Sequence, residues 1–296
     1  MTILSTAAFY ERAGNQIGSL RQRAGELQQQ VASGEKLARS SDDPVAAARL
    51  RMLARRERLG TVDSANADRA ATGLKLTDGA LGNIADVIIR ARELATQAAN
   101  ATFSGSDRGV IAAEIDELRG SLLSIANTRD AAGHALFGGE ATGDAYAPDA
   151  AGTINYVGTG AVPEIDLGEG QSVKGGMAGP EVFGGLFSLL ADFSTALKAG
   201  TGDPVAISRD ALAGLDSGLE KVTTAQTVVG ARLGWIELMD QRREAVGELA
   251  AEEEAELGGA DIAETITRLQ QTMTVLEASQ ASFVRLSSLT LFDMLR

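Results

Sequence analysis

Two apolar stripes at opposite ends of the chain constrain its fold more than anything between them. From Ile3, steps of three and four residues land on Thr6, Tyr10, Ala13, Ile17, Leu20, Ala24, Leu27 and Val31, the a/d seam of a helix that packs on one other helix. Toward the C-terminus a matching stripe runs through Ile262, Ile266, Leu269, Met273 and Leu276, breaks at Gln280 and resumes at Phe283. A helix of about thirty residues is roughly 45 Å long, and sequence neighbours give neither stripe a cover. Pairing the two as an antiparallel terminal coiled coil, which also seeks partners beyond its own chain, accounts for both. Two ordinary bundle helices are the plainer alternative.

The residues available for a core support long helices in close contact. Aromatics are 4% of the 296 residues, so the interior must be built from Ala, Leu, Ile and Val. A net charge of −13 and a pI near 4.6 make nucleic acid a poor partner. Cysteine is absent, which removes disulfides, thiolate metal sites and thiol nucleophiles, and fits a protein that works outside the cell without oxidative help. The start, Met1-Thr2-Ile3-Leu4-Ser5, lacks the basic and apolar regions of a cleaved secretory signal. No apolar stretch is long enough to span a membrane. The chain is therefore expected in the cytosol, or exported by a machine that reads something other than a cleaved signal.

Local signals divide the chain into five segments. Residues 1–41 are expected to form the N-terminal coiled-coil segment, closed near Ser33-Gly34 by a glycine able to take the left-handed conformation. Asp42-Asp43-Pro44 is a helix start, with Asp43 capping the free amides and Pro44 at the first helical position. It opens the first half of a rod, 42–137, with the seam Ala70, Leu74, Thr77, Leu81, Ile84, Ile88, Ala91, Ala95 and Ala98. A turn at 102–107 then leads into an antiparallel helix with the stripe Ile111, Ile115, Leu118, Leu122 and Ile125. Residues 138–185 are rich in Gly, Pro, Asp and Thr, and alternating runs at 153–157, 162–167 and 171–173 predict a small β-rich insertion leaning on the flanking helices. The second half of the rod, 186–259, includes a helix over 186–199 and another from Pro204 with the seam Leu212, Leu215, Leu219, Val222, Gln226, Val229, Leu233 and Ile236. The C-terminal coiled-coil segment, 260–296, is capped by Asp261. The expected fold is mainly α with a small β-rich insertion, an elongated antiparallel helical rod whose terminal helices pair at one end.

Residues that could carry chemistry are sparse. The single histidine, His134, excludes a multi-histidine metal site and a serine-histidine-aspartate arrangement at any other histidine, and its place between Gly133 and Ala135 reads as a turn. Ser33-Gly34-Glu35-Lys36 has the serine-lysine spacing of penicillin-binding enzymes without their companion motifs, and reads as a helix end. Gly158-Thr159-Gly160 and Gly168-Glu169-Gly170 lack the lysine and helix start of a phosphate loop. Arg49, Arg51, Arg55, Arg56 and Arg58 form a basic stretch that is either a solvated helix face or a partner for carboxylates of another subunit. The run Glu252 to Glu256 reads as a solvated face. No catalytic, cofactor or metal site is expected.

Several of these segments resemble the flagellin superfamily. Val31 to Leu37 followed by Ser41-Asp42-Asp43-Pro44-Val45-Ala46-Ala47-Ala48 is similar to that family's N-terminal segment, and the Asp-Pro form points to its hook-associated protein 3 branch. Leu136-Phe137-Gly138-Gly139, Ile154-Asn155-Tyr156, Ile165 to Gly170, Gly179 to Phe183, and the run from Leu269 to Leu295 agree with that branch, so the resemblance covers essentially the whole chain. Gly234-Trp235 departs from it, where relatives commonly carry Asn and a charged residue. The resemblance implies a non-enzymatic structural protein of the hook-filament junction in the bacterial flagellum. It would be exported unfolded by the flagellar type III apparatus and escorted by a cytosolic chaperone. Its partners would be copies of itself in a helical or annular assembly, a neighbouring hook-associated protein, and flagellin. Assembly would fall to Ile3, Tyr10, Ile17, Leu20, Leu27 and Val31 with Ile262, Ile266, Leu269, Met273, Leu276 and Phe283. The chaperone would take the C-terminal anchors Phe283, Leu286, Leu289, Leu291 and Phe292. A filament flagellin and, more distantly, a cytosolic coiled-coil scaffold are the competing readings.

Overall fold

The computed structural model describes the backbone of residues 2–100 and 102–293 and the side chains of residues 8–100 and 102–286. The helices are α1 (Thr2–Ser33), α2 (Pro44–Ala98), α3 (Gly105–Ala126), α4 (Gly179–Phe183), α5 (Leu186–Ala199), α6 (Pro204–Gly258) and α7 (Ile262–Asp293). Between α3 and α4 lie β1 (Tyr146–Pro148), β2 (Ile154–Tyr156), β3 (Glu164–Gly168) and β4 (Gln171–Lys174). The chain forms two compact units, one of residues 1–58 with 245–296 and one of residues 59–244. Both long helices, α2 and α6, pass from one unit into the other.

The 59–244 unit is organised by α2. All nine seam residues expected between Ala70 and Ala98 are buried, including Thr77, whose hydroxyl donates to the Gly73 carbonyl at 2.9 Å. Four of them are alanines, which lets neighbouring helices approach closely. α3 begins with a capping box: the Ser104 amide donates to the Asp107 carboxylate at 2.9 Å and the Asp107 amide donates to Ser104 Oγ. The Ser104 hydroxyl, which donates to the Asp107 carboxylate at 2.7 Å, and the Ser104 amide hold that carboxyl below its ordinary range. α3 folds back antiparallel on α2, since Arg108 donates to the Ala98 carbonyl while Arg90 pairs with Glu114 at 2.6 Å. α5 occupies its expected span and packs on α3, where Ser194 Oγ donates to the Ala112 carbonyl and Lys198 pairs with Asp116.

α6 buries Leu215, Val222, Val229 and Ile236 of its expected seam, and Leu212, Leu219 and Leu233 pack half-buried against the same core. The buried face extends further than the periodicity predicts, to Ala211, Gly218 and Ala225. There the helices approach closely: a Cβ at Gly218 would meet Leu186 Cδ1 at 3.2 Å and Ile88 Cδ1 at 3.6 Å.

The insertion consists of two antiparallel hairpins, β1–β2 and β3–β4. β1 falls outside the three alternating runs. Its place is fixed by Asn127 at the end of α3, whose side chain accepts from the Ala145 and Tyr146 amides and donates to the Tyr146 carbonyl at 2.8 Å. The insertion shares its core with the helices. Phe137, Tyr146, Phe183 and Phe187 are buried together, with Tyr156 against Tyr146 at a ring separation of 5.2 Å. Five of the chain's twelve aromatic side chains are thus spent in one place. The second hairpin is bonded to the long helices by Arg243, which donates to the Leu167 carbonyl at 2.8 Å, by Arg232 to Gly176 at 2.6 Å, and by Asn66 to Asp166 at 3.1 Å.

Burial pushes the Tyr146 phenol far above its ordinary range, and the Tyr156 phenol upward as well. A phenol whose folded pKa exceeds its unfolded value contributes stability that is present below about pH 10 and is lost as pH rises further. Alkaline titration followed by ultraviolet absorbance and circular dichroism is therefore expected to show these two tyrosines ionising together with unfolding of the unit. Ionisation of both in a fully folded protein would contradict the packing.

Candidate functional site: the paired terminal helices

The other unit joins α1 and α7 to the start of α2 and the end of α6. α1 and α7 run antiparallel: the Tyr10 hydroxyl donates to the Leu286 carbonyl at 3.3 Å and the Tyr10 ring meets Phe283 edge-on at 5.6 Å, while the other ends of the two helices meet at Gly34 and Ala260. On α1 the expected seam faces its partner, with Ala24 buried and Tyr10, Ala13, Ile17, Leu20, Leu27 and Val31 half-buried.

On α7 only half of the expected seam does so. Leu276 is buried and Leu269 and Phe283 are half-buried, but Ile262, Ile266 and Met273 are 40%, 39% and 37% exposed. The places of Ile266 and Met273 are taken by Thr265 and Thr272, one residue earlier in each case. The Thr265 and Thr272 hydroxyls are already bonded to the Asp261 and Arg268 carbonyls at 2.6 and 2.8 Å, so their small methyl faces enter the contact at no hydrogen-bonding cost. Phe9 and Val275, at 45% and 50% exposure, line a groove of about 340 Å³ between the two helices together with Ile17, Phe283 and Leu286. The pair therefore keeps an open apolar side, and Leu286, itself 43% exposed, lies on it. The side chains of Ile3, Thr6, Leu289, Leu291 and Phe292 lie outside the described residues.

The connections at the base of the pair are bonded to each other. Gly34 takes φ +74° and ends α1. The following strand-like turn meets the α6–α7 connection antiparallel: the Lys36 amide donates to the Gly258 carbonyl at 2.7 Å and the Ala260 amide to the Gly34 carbonyl at 2.9 Å. Sequence periodicity cannot register this clasp, because its two halves are short and more than two hundred residues apart. The serine-lysine spacing at Ser33 and Lys36 is part of this turn, with the Glu35 amide donating to Ser33 Oγ. The helix-start motif acts as a turn and cap: Asp42 accepts from the Arg39 amide at 2.8 Å, and Asp43 Oδ1 accepts from the Val45 and Ala46 amides at 3.0 and 2.9 Å. Asp261 caps α7 through the Glu264 amide.

The basic and acidic runs meet at one point only. Arg49 grips Glu253 with two nitrogens at 2.5 and 2.7 Å, which lowers the Glu253 pKa and raises that of Arg49. Glu253 therefore has a partner in its own chain, contrary to a purely solvated reading of the acidic run. His134 is an exposed turn residue whose amide donates to Asp130. Among the described residues no group of three metal-ligating side chains occurs, and no helix is long and apolar enough to cross a membrane.

A chain that ends in two long helices paired with each other, with a β insertion set between long helices, matches a known type. The model of the bacterial flagellin N-terminal helical region matches residues 4–142. Over those residues the chain is similar to the flagellin superfamily. Along nearly its whole length it is similar to flagellar hook-associated protein 3. It is 26% identical to that of Escherichia coli over 90% of this chain and 91% of the relative. It is 23% identical to that of Salmonella typhimurium over 99% of both. In fold, it is similar to a flagellar hook-associated protein from Vibrio parahaemolyticus, with a TM-score of 0.69 at 21% identity over 74% of this chain and 100% of that one.

Proposed function

We propose that this chain is a structural subunit of the bacterial flagellum, built into the junction between hook and filament, and that it catalyses no reaction. The observation that carries the reading is the open apolar side of the α1/α7 pair, where Phe9, Val275 and Leu286 stand exposed along a groove that the described residues leave open. Such a face is unusual on a finished monomer and fits a helix pair completed by its neighbours. In this reading Ile3, Tyr10, Ile17, Leu20, Leu27, Val31, Leu269, Leu276 and Phe283 hold the pair together, while Ile262, Ile266 and Met273 meet further copies, a neighbouring hook-associated protein, or flagellin. The similarity to hook-associated protein 3 along almost the entire chain favours the junction over the filament. Immuno-electron microscopy of flagella is expected to place the protein in a short zone between hook and filament. Labelling along the filament would overturn the assignment.

The same face requires cover before assembly, since an exposed amphipathic helix aggregates. A helical chaperone accepting the apolar side of α7, with Phe283, Leu286, Leu289, Leu291 and Phe292 as anchors, would supply it before export by the flagellar type III apparatus. Deleting residues from Ile262 onward is expected to abolish chaperone binding, while deleting residues before Ser33 preserves it. Calorimetric titration of the chaperone against both truncations decides, and unchanged affinity for the C-terminal deletion would refute the anchor set.

A further inference from the structure

Two short segments of the terminal unit carry the same pattern with opposite charge. In α2, Arg51-Met52 is followed by Arg55; in α6, Glu248-Leu249 is followed by Glu252. In each, an apolar residue has a charged residue one position before it and another three positions after it, and at 100° per residue both charges fall on the same side of the apolar one. Met52 is 62% and Leu249 is 66% exposed, whereas Ala46, Ala47 and Leu53, on the opposite side of α2, are buried. Among the described residues none of Arg51, Arg55, Glu248 and Glu252 has an ionic partner. Arg49 and Glu253, one or two positions away, are already paired within the chain. Like charges four residues apart on a helix repel each other, so each segment bears a cost that an oppositely charged neighbour would remove.

We propose that these segments are the two halves of a contact between copies, with the Met52 face of α2 docking on the Leu249 face of α6 in the next copy. The inference rests on the reading that copies assemble, and adds where and in what orientation they touch. α2 and α6 run antiparallel within a chain, because the start of α2 lies beside the end of α6, with Leu50 against Gly258. Copies standing in the same orientation therefore bring α2 of one antiparallel to α6 of the next. In an antiparallel pair, equivalent flanks fall on the same side, so Arg51 and Arg55 meet Glu248 and Glu252. The apolar centre supplies the contact, and the charges fix partner and register, since exposed ion pairs contribute little alone. Each copy uses a different face on either side. That makes the contact head-to-tail, the kind that propagates into a ring or helix and does not stop at a dimer.

The chain's lack of cysteine gives a direct test. Flagella are isolated from cells carrying Met52→Cys, Leu249→Cys or both, and treated with a short bismaleimide. The double variant is expected to give a ladder of multimers and each single variant only monomer. A dimer from Met52→Cys alone, or monomer from the double variant, would overturn the contact. Charge supplies the second arm: Arg51→Glu with Arg55→Glu, and separately Glu248→Arg with Glu252→Arg, are expected to abolish swimming, while all four together restore it. Swimming by either pair, or no rescue by the four, would likewise overturn the contact. Immunoblotting flagella for the unmodified chain separates the two levels. Its absence overturns the junction reading and this contact with it, whereas its presence with monomer-only cross-linking overturns the contact alone.

Discussion

Leu276→Asp is expected to leave the 59–244 unit folded and to abolish swimming. Leu276 is 7% exposed in the α1/α7 contact, and an unpaired carboxylate there costs several kcal/mol, enough to disrupt the packing of the pair. Circular dichroism should record a partial loss of helix with a retained cooperative transition, and electron microscopy should find hooks without filaments. Ile266→Asp provides the contrast, because Ile266 is exposed: the isolated protein should keep its helicity while junction assembly still fails. Leu276→Met, close in volume, should behave as the parent. Normal filaments on cells carrying Leu276→Asp would show that the terminal pair is not the assembly element.

The second large effect belongs to the insertion. Phe183 is 1% exposed and touches Phe137 edge-on at 5.2 Å, Tyr146 at 5.1 Å and Phe187 in a stack at 5.5 Å. Removing its ring leaves a cavity where three other aromatics meet, at a cost of about 3–5 kcal/mol. Against a total stability of about 5–15 kcal/mol for a typical domain, that is a large share. Urea unfolding of Phe183→Ala should show a lowered midpoint with an unchanged slope. A loss under about 1 kcal/mol would mean that the insertion and the helices do not share a core as described.

What could be read from the sequence was what depends on neighbours in sequence. The Asp43 and Asp261 caps, the Ser104 turn, the span of α5 and the seam of α2 are set within a few residues, and each is where its local signal puts it. The seam of α7 needed more. Periodicity finds the axis of a stripe, Leu269-Leu276-Phe283, but either flank of that axis can complete it. Hydrophobicity favours Ile266, whereas Thr265 is the residue that is buried. That displacement is informative for the site, because the apolar flank left over on α7 is the one proposed to meet other subunits. β1 was illegible because Asn127, nineteen residues before Tyr146, holds it. The clasp between Gly34–Lys36 and Gly258–Ala260 was illegible for the same reason on a longer scale.

The hydrogen bond from Tyr10 to Leu286 spans 276 positions, and that separation sets a timetable. A ribosome releases the N-terminal helix first, and the only helix that matches it last. Through the whole of synthesis α1 has no mate, and the 59–244 unit has time to form before the ends can find each other. Whatever holds α7 as it emerges thereby also decides when α1 stops being single. The chain's latest event, and the one most easily postponed by an outside hand, is the closure that turns two loose ends into an assembly element.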